Sequence, residues 1–502
     1  MAYQDCTTSL IVNKVVGSRI PVKRSVRQGC PLSPLLFCLY IESFCLSVIQ
    51  SDCMRGFKLH QLEVRLLAYA DDIAMFCNDY DSVTQAVKCV KSFCAASGSA
   101  VNWSKCLGFW HGDWPEAPDT FANMSFTTTP VKYLGVPLEC YKDSEAYWRS
   151  EVDKMRERVN KWNGWNWSMF SRATICNIFL VSKLWYVLQV LHCSRVHIQK
   201  FHRVFAVFVW ASSWERSSRT NLFLRVRNGG LSLSHLFLRQ VVNRYLFLRD
   251  VKHPFLHTVC QLRLGKHLPN MVVSAGSMPG GVHGFLREVV VSCRFLMARF
   301  SLQYLSEVNR KKLYKDLCSV VLPVPLYRSL YREGIGNKVL KRVKAMLVPS
   351  GVKTFFFKLH TGTLTVKPWM AEKGFFVPWG THCIICRKEE TIEHVFLECW
   401  DAVFLWDVLQ RTIKKEFPLD GYGIRYLPIE SDDGTPFDLI MLIALHSIWK
   451  CRMAVRHADL DARPARQYFK ESISNFVQEK KMLECSPEWL SRVELLLAMK
   501  EF

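Results

Sequence analysis

The sequence predicts an α-rich α+β protein with a small metal-binding module near its carboxyl end. Two largely apolar runs, Val64 to Ala68 and Ile73 to Phe76, flank the tetrapeptide Tyr69-Ala70-Asp71-Asp72, and this arrangement predicts a β-hairpin. Apolar residues at helical spacing recur along much of the remaining chain, which predicts more helix than strand. Three cysteines and a histidine between residues 383 and 399 indicate a bound metal ion.

The predicted hairpin carries two adjacent carboxylates, Asp71 and Asp72, at its tip. Aspartate favours turn positions, and carboxylate oxygens are ligands that Mg²⁺ prefers. Phosphoryl transfer between nucleotides uses two divalent cations about 3.5–4 Å apart, so clustered aspartates suit that chemistry. A pair of aspartates between strands is also common as a solvated turn, and the pair alone leaves both interpretations open.

Three further blocks accompany the hairpin, one upstream and two downstream. They run from Val26 to Phe37, from Gly98 to Lys105 and from Lys132 to Leu138. In this order and spacing, the four blocks resemble the palm of a reverse transcriptase from a non-LTR (LINE-type) retrotransposon. The resemblance implies RNA-templated DNA synthesis during target-primed insertion. It also implies Mg²⁺ or Mn²⁺ at the palm, deoxynucleoside triphosphates, an RNA template and a DNA primer or target.

In that family the first block contacts the template and the incoming nucleotide, which assigns this role to Arg27, Gln28, Gly29 and Pro31. Arg27 offers positive charge for a phosphate and Gln28 an amide for a nucleotide. Gly29 has no Cβ, so a backbone can approach it closely. The structural alternative is a loop-to-helix junction that needs glycine and proline.

The two downstream blocks supply further expected site residues. Lys105 corresponds to a candidate general acid for the leaving pyrophosphate, since its ammonium can protonate a developing oxyanion. A solvated surface lysine is the competing interpretation. Tyr133, Leu134 and Gly135 resemble the turn that grips the primer end.

Helical patterns surround the hairpin. The upstream stripe, expected to be buried against the sheet, is Leu36, Tyr40, Phe44 and Val48. Downstream, Asp81 or Ser82 is expected to cap a helix and Gly98 to end it. The inner face of that helix is expected to be Val83, Val87, Val90 and Cys94.

Related enzymes carry a third catalytic aspartate upstream of the Arg27-Gln28-Gly29 block. The acid before Arg27 is Asp5, and its surroundings lack the apolar strand expected around a catalytic carboxylate. Asp5 is therefore not assigned this role. The expectation is a truncated enzyme with little or no polymerase turnover by itself.

The composition favours a nucleic-acid partner. Lysine and arginine number 66 against 44 acids, a formal net charge of +22 over 502 residues, and such a balance attracts polyanions. From Arg203 to Arg249, eight arginines stand against the single acid Glu215, with aromatic residues between them. Arginines follow phosphates and aromatics stack on bases, although most aromatics at helical spacing are expected to be core.

The distribution of cysteines and the length of the apolar runs predict where in the cell the protein is found. The 20 cysteines are scattered, and no secretory segment begins the sequence. The longest apolar runs are too short or too charged at their flanks to span a bilayer. The expectation is an intracellular protein, nuclear or cytoplasmic, that is neither secreted nor membrane-inserted.

The spacing Cys383-x-x-Cys386, followed by His394 and Cys399, is a second strong pattern. Two cysteines separated by two residues can bind one ion, and a histidine and a third cysteine complete a tetrahedral shell. Mixed sulfur and nitrogen ligands favour zinc over iron. Together with Lys358 to Leu364, this region resembles the zinc-binding module at the end of many such elements. Contact with RNA or DNA and a purely structural role both remain open for it.

Apolar residues three and four apart predict an amphipathic helix that begins a helical thumb. They are Trp148, Val152, Met155, Val159 and Trp162. The stretch from Ser171 to Tyr186 also resembles the family's thumb, where a basic helix can lie along the duplex. Lys154, Arg158 and Arg172 are the expected nucleic-acid contacts.

These observations predict a division into five regions. They are a partial palm at residues 1–142, a helical thumb at 143–227, a basic helical connector at 228–345, a zinc-binding module at 346–420 and a C-terminal helical region at 421–502. The alternative to a reverse transcriptase is a catalytically inert nucleic-acid-binding protein derived from a retrotransposon, or a remnant without a selected role.

Overall fold

The fold is described from a computed structural model. The residues that it describes are 7–22, 29–129, 131–138, 144–265, 267, 282–331, 338–378, 380–429, 434–458, 460–482 and 487–499. The chain forms two compact units. The first contains Met1–Lys142, Asp250–Asn270 and Met278–Val282, and the second contains Asp143–Arg249, Met271–Ser277 and His283–Phe502.

The strands belong to the first unit. They are β1 (Thr7–Thr8), β2 (Ile11–Val12), β3 (Val15–Val16), β4 (Ile20–Pro21), β5 (Phe57–Leu59), β6 (Leu62–Val64), β7 (Leu66–Tyr69), β8 (Asp72–Met75), β9 (Leu107–Phe109), β10 (Thr120–Phe121), β11 (Met124–Thr127), β12 (Val131–Tyr133) and β13 (Val136–Leu138). The antiparallel pairs are β1 with β4, β2 with β3, β5 with β6, β7 with β8, and β12 with β13, and β11 lies between β10 and β9. The expected palm sheet is thus divided, in the described residues, into short local pairs, and β9 pairs with β11 in parallel.

In the described part of this unit, three α-helices accompany the strands: α1 (Ser33–Ile49), α2 (Tyr80–Ser97) and α9 (Pro254–Leu264). Phe44 and Val48 of α1 are buried as predicted, whereas Tyr40 of the same stripe remains exposed. Ile73 and Met75 of β8 pack against the core that α1 and α2 share. This packing anchors the hairpin of β7 and β8 on a helical support.

The expected start of α2 was wrong by two or three residues. The N-cap is Asp79, whose carboxylate accepts a hydrogen bond from the Ser82 amide at 2.7 Å, in place of Asp81 or Ser82. An N-cap needs extended backbone outside the helix, and Asp79 has it. The predicted end at Gly98 is confirmed, since its positive φ of 69° closes the helix.

The second unit is helical. Its α-helices are α3 (Ser144–Trp162), α4 (Met169–Ile175), α5 (Ser182–Leu188), α6 (Arg195–Trp210), α7 (Thr220–Phe223), α8 (Leu236–Asp250), α10 (Gly284–Met297), α11 (Leu302–Glu307), α12 (Arg310–Val321), α13 (Leu326–Ser329), α14 (Val339–Ala345), α15 (Ser350–His360), α16 (Lys367–Glu372), α17 (Trp400–Ile413), α18 (Gly423–Tyr426), α19 (Phe437–Arg456), α20 (Ala465–Lys481) and α21 (Leu490–Glu494). Wider π-turns occupy Cys176–Val181 and His394–Glu398.

One hydrophobic core extends through this unit, from Trp148 to Met499. The predicted inner face of α3 is confirmed, because Trp148, Val152, Met155 and Val159 are all buried. The expected thumb, connector, zinc module and C-terminal region therefore contribute to a shared core. Helix α19, for which an apolar helix was predicted at Leu439 to Val455, contributes many of its buried residues to this core.

Among the described residues, no helix combines the length and the apolar character needed to cross a bilayer.

Candidate active site and metal centre

The predicted carboxylate hairpin is present. Strands β7 and β8 pair in antiparallel register with Tyr69 opposite Asp72, so Ala70 and Asp71 form the turn. Ala70 adopts a left-handed φ of 51°, as tight hairpin turns require. Both Asp71 and Asp72 are exposed, and neither carboxylate has a hydrogen-bond or ion-pair partner in the described chain. Both carboxylates are therefore available to bind divalent cations that prefer oxygen ligands, such as Mg²⁺.

The second hairpin, β12 and β13, lies beside this carboxylate pair. Leu134 and Gly135 form its turn with φ values of 48° and 76°, a conformation that favours glycine at the second position. Burial, followed by the nearby charge of Asp72, raises the pKa of Tyr133. Asp72 therefore lies near enough for its charge to act on the Tyr133 hydroxyl. This interaction joins two residues that are 61 positions apart in sequence.

The first block is described in part, because Arg27 and Gln28 lie outside the described residues. Gly29 has a positive φ of 84°, and an added Cβ would meet no atom within 4 Å. The glycine is thus required by its own backbone conformation, while no described residue approaches it. Pro31 is exposed directly before α1.

Lys105 ends the short 3-10 turn Trp103–Lys105, immediately before β9. Its side chain is exposed, and its ammonium forms no ion pair with the residues described here. Either predicted role, general acid or solvated lysine, is compatible with this position.

The predicted metal ligands converge in the second unit. One potential ligand atom from each of Cys383, Cys386, His394 and Cys399 lies within 4.8 Å of the other three. The Cys399 sulfur lies 4.0 Å from that of Cys383 and 3.6 Å from that of Cys386. Four zinc–sulfur bonds of about 2.3 Å in a tetrahedron give sulfur separations near 3.8 Å. The cluster therefore has dimensions that suit zinc.

Local structure explains how the four ligands meet. The Cys383 amide donates a hydrogen bond to the Lys388 carbonyl at 2.7 Å. Arg387 has a left-handed backbone conformation and closes a tight turn, so Cys386 lies on the same side as Cys383. His394 begins a π-turn, and its carbonyl accepts the Cys399 amide at 2.8 Å. Cys399 is also the residue before α17, so its side chain is fixed by the start of that helix.

The histidine supplies an independent test of metal binding. His394 is 1% exposed, and within the described chain neither ring nitrogen has a hydrogen-bond partner. The nearest carboxylate, that of Glu398, lies 3.6 Å from Nδ1, which is too far for a hydrogen bond. Burying an imidazole without a hydrogen bond is costly, and a bound metal ion would remove that cost. The donor set and this orphaned ring both fit zinc, so Cys383, Cys386, His394 and Cys399 are the residues that would hold it.

Sequence reasoning missed a residue at this site. Arg452 of α19 is buried, and its guanidinium donates to the Cys383 sulfur at 3.2 Å and to the Cys399 sulfur at 2.9 Å. Burial alone would raise the pKa of the Cys383 thiol, but neighbouring amides, His394 and Arg452 together lower it to about 6. No local pattern marks Arg452, since it lies 53 residues beyond Cys399.

Two further charged residues, Glu390 and Arg456, lie next to Arg452 in a chain of ion pairs. Glu390 is 1% exposed; it lies 3.9 Å from the Arg452 guanidinium and also pairs closely with Arg456. Three charged side chains therefore form a chain next to the cysteines. Only the fold assembles it, from the metal-binding turn and from α19.

The expected nucleic-acid contacts differ in their surroundings. Lys154 is exposed and pairs with Glu151 at 2.7 Å. Arg158 is half-buried, and its Nη1 has no hydrogen-bond partner among the described residues. Arg172 is buried, with 6% exposure, and donates to the carbonyls of Phe208 and Trp165. Its guanidinium is therefore occupied within the fold, in contrast to the exposed role expected for it.

Comparison with known proteins adds two findings. Residues 2–138 match the family described as reverse transcriptase (RNA-dependent DNA polymerase). The chain is also 33% identical, over 258 residues, to the transposon TX1 uncharacterized 149 kDa protein of Xenopus laevis. That alignment covers 49% of this chain and 20% of the Xenopus protein, so the chain spans about a fifth of that relative.

Proposed function

We propose that this chain, whose residues 2–138 belong to the reverse transcriptase family, takes part in RNA-templated DNA synthesis by a non-LTR retrotransposon. The observation that carries the proposal is the exposed Asp71-Asp72 pair on a rigid hairpin, beside Tyr133 of the neighbouring hairpin. This arrangement lies inside the matched segment. Insertion into chromosomal DNA would place the activity in the nucleus.

The chemistry proposed for the hairpin is phosphoryl transfer. Bound Mg²⁺ would supply Lewis acidity to the attacking and leaving oxygens. Asp71 and Asp72 would hold the cations at the tip of a hairpin that is packed against α1 and α2, so the ligands keep their geometry. The Leu134-Gly135 turn would orient the primer end next to them, and Lys105 would donate a proton to pyrophosphate.

Substrate binding is assigned to the block before α1. Arg27, Gln28, Gly29 and Pro31 would contact the template and the incoming deoxynucleoside triphosphate. The left-handed Gly29 turns the chain directly before α1, which favours a loop that can meet a ligand from outside.

The zinc module is proposed to support nucleic-acid binding through its fold. Zinc at Cys383, Cys386, His394 and Cys399 would close a four-ligand shell, which leaves no position for a reacting water. The ion would therefore act in structure and not in the reaction. Lys154 and Arg158 of α3 remain the proposed contacts with nucleic acid in this unit.

A primer-extension assay tests the proposal. The full chain is supplied with Mg²⁺, an oligo(dT) primer on poly(rA), and dTTP, and incorporation of labelled dTMP is measured. We expect Asp71→Asn to reduce incorporation at least 100-fold, because it removes a metal ligand without changing the shape of the side chain. Asp113→Asn, which removes the same charge from an exposed loop of the same unit, is the matched control.

The assay also separates the alternative, a catalytically inert nucleic-acid-binding protein derived from a retrotransposon. The net charge of +22 and the zinc cluster favour that alternative, since neither depends on the carboxylate hairpin. Salt-dependent RNA binding without any incorporation by the unaltered chain would reject the polymerase proposal and support the binding protein. Equal incorporation by the Asp71→Asn and Asp113→Asn variants would reject the assigned site.

A further inference from the structure

A cavity of about 530 Å³ opens among helices α4, α6, α15 and α19 of the second unit. Its lining includes three cationic side chains, Arg172, Arg216 and Lys358. No acidic side chain of the described chain lines it. Concave surfaces lined by one sign of charge concentrate ligands of the opposite sign, so the cavity attracts anions.

Two of these cations are uncompensated. Neither Arg216 nor Lys358 has a side-chain hydrogen bond or ion pair with any residue that the structure describes. Burial and the nearby charge of Arg216 lower the pKa of Lys358 to about 8. Other arginines of the same basic stretch are engaged; for example, Arg203 and Arg219 both pair with Glu215. Two half-buried cations held together without a counter-charge favour a bound anion.

Tryptophan side chains at the cavity indicate what else the ligand carries. Trp167 lines the cavity, and its ring stacks on that of Trp165 with centroids 6.0 Å apart. Trp165 is 63% exposed, which leaves a flat aromatic surface open to solvent. Arg172 donates to the carbonyls of both tryptophans and so holds their loop in place. Exposed aromatic rings next to a cationic groove are typical of single-stranded nucleic-acid sites.

We propose that this cavity binds one phosphate group of a single-stranded nucleic acid through Arg216 and Lys358, while an adjacent base stacks on Trp165 and Trp167. Arg172 is then a positioning residue for the tryptophan loop and does not touch the strand. This inference rests on the proposed function, because that function is the reason for naming a nucleic acid as the ligand. It adds a site that is separate from the carboxylate hairpin.

Binding of fluorescein-labelled ten-nucleotide oligouridylate and oligothymidylate to the full chain tests this site. Fluorescence anisotropy is measured at several salt concentrations, without Mg²⁺ or deoxynucleotides. We expect the double variant Arg216→Gln, Lys358→Met to raise the dissociation constant at least tenfold. The slope of log K against log salt should fall by about 0.7, the value for one lost phosphate contact on a single strand. Trp165→Ala, at an exposed position, should weaken binding at least about fivefold through lost stacking.

The matched control is Arg310→Gln, Lys311→Met, which removes the same two charges from the exposed side of α12. We expect it to change the dissociation constant less than twofold. Equal losses in the cavity and control variants would overturn the proposal, because only general charge would then matter. Unchanged binding in both the cavity variant and Trp165→Ala would also overturn it.

Competition separates a strand phosphate from a free one. Inorganic phosphate and dTTP are titrated against the unaltered chain and the cavity variant. If either binds at the cavity while oligonucleotide affinity is the same in both proteins, the strand assignment is wrong. Since no polymerisation is required, an inactive chain still gives the expected result, and normal strand binding by the cavity variant leaves the polymerase proposal standing.

Discussion

At the scale of single residues, the positive charge of Arg452 neutralises the negative charge expected at the metal centre. A divalent ion bound by three thiolates and a neutral imidazole leaves a net charge of about −1. Burying that charge is costly unless it is paired. Arg452 supplies one positive charge at the two sulfurs, and the pair of Glu390 and Arg456 adds no further net charge. The whole buried array is then neutral.

Replacing Arg452 should therefore weaken metal binding. We expect Arg452→Met to reduce zinc affinity about 10- to 100-fold, as loss of an outer partner of metal ligands typically does. Arg452→Lys should recover part of the loss. Zinc affinity is measured by competition with a chromophoric chelator. Arg411→Met, at an exposed position on α17, is the control, and an equal effect at both positions would contradict the role of Arg452.

A second prediction at this scale concerns the cap of α2. Asp79→Ala removes the acceptor of the Ser82 amide and should lower the opening free energy of α2 by about 1 kcal/mol. Asp81→Ala should have a smaller effect, since Asp81 lies in the first turn and does not cap the helix. Hydrogen exchange of the α2 amides measures both. A larger loss for Asp81→Ala would show that the cap lies where the sequence pattern had placed it.

At the scale of secondary-structure elements, the metal centre joins segments with little regular structure of their own. The turn at Cys383 and Cys386, the π-turn His394–Glu398 and the start of α17 meet at the four ligands. Short turns of this kind have few backbone bonds to hold them. A bound ion therefore contributes directly to their stability.

Removal of zinc should loosen these elements selectively. After treatment with a strong chelator, we expect faster hydrogen exchange in peptides covering residues 380–400, with full recovery when zinc is restored. Helix α3 carries none of the ligands and serves as an internal control whose exchange should not change. Mass spectrometry of pepsin fragments makes the comparison. Equal exchange with and without the chelator at residues 380–400 would argue against a structural metal.

At the scale of the whole molecule, buried neutral histidines make the second unit sensitive to acid. Burial lowers the pKa values of His235, His360 and His446 to about 4 and that of His202 well below its usual value. In the unfolded chain such groups titrate near pH 6.5. Between these values the unfolded state binds more protons, so stability is complete above about pH 6.5 and declines as the pH falls towards 4.

We expect the free energy of unfolding in urea to fall steeply once the pH drops below about 6.5, by up to about 1.4 kcal/mol per pH unit for each histidine. His360→Gln should reduce this slope, because His360 is fully buried and bonded to the Arg425 carbonyl. The exposed His457→Gln is the control and should leave the slope unchanged. A flat stability profile over this range would refute the prediction.

The same scale shows what a pattern of residues can predict. The hairpin at Asp71 and Asp72, the inner face of α3 and the Cys and His spacing were all predicted from sequence. These features depend on the alternation of strands, the period of helices and the short reach of a turn, so a few neighbouring residues determine them. The first residue of α2 could not be predicted reliably, since Asp79 and Asp81 are equally suitable N-cap residues when only the sequence is considered.

Tertiary structure alone decided which distant groups meet. Packing of α19 brings Arg452 to the cysteine sulfurs and helps to build the cavity around Arg216 and Lys358. The hydrogen bonds of Arg172 to the carbonyls of Trp165 and Phe208 likewise join residues that are distant from local sequence patterns. Sequence by itself determined local shape and chemical type, because both follow from near neighbours. The pairing of charges depended on the whole core, since a long flexible side chain has no preferred partner until packing supplies one.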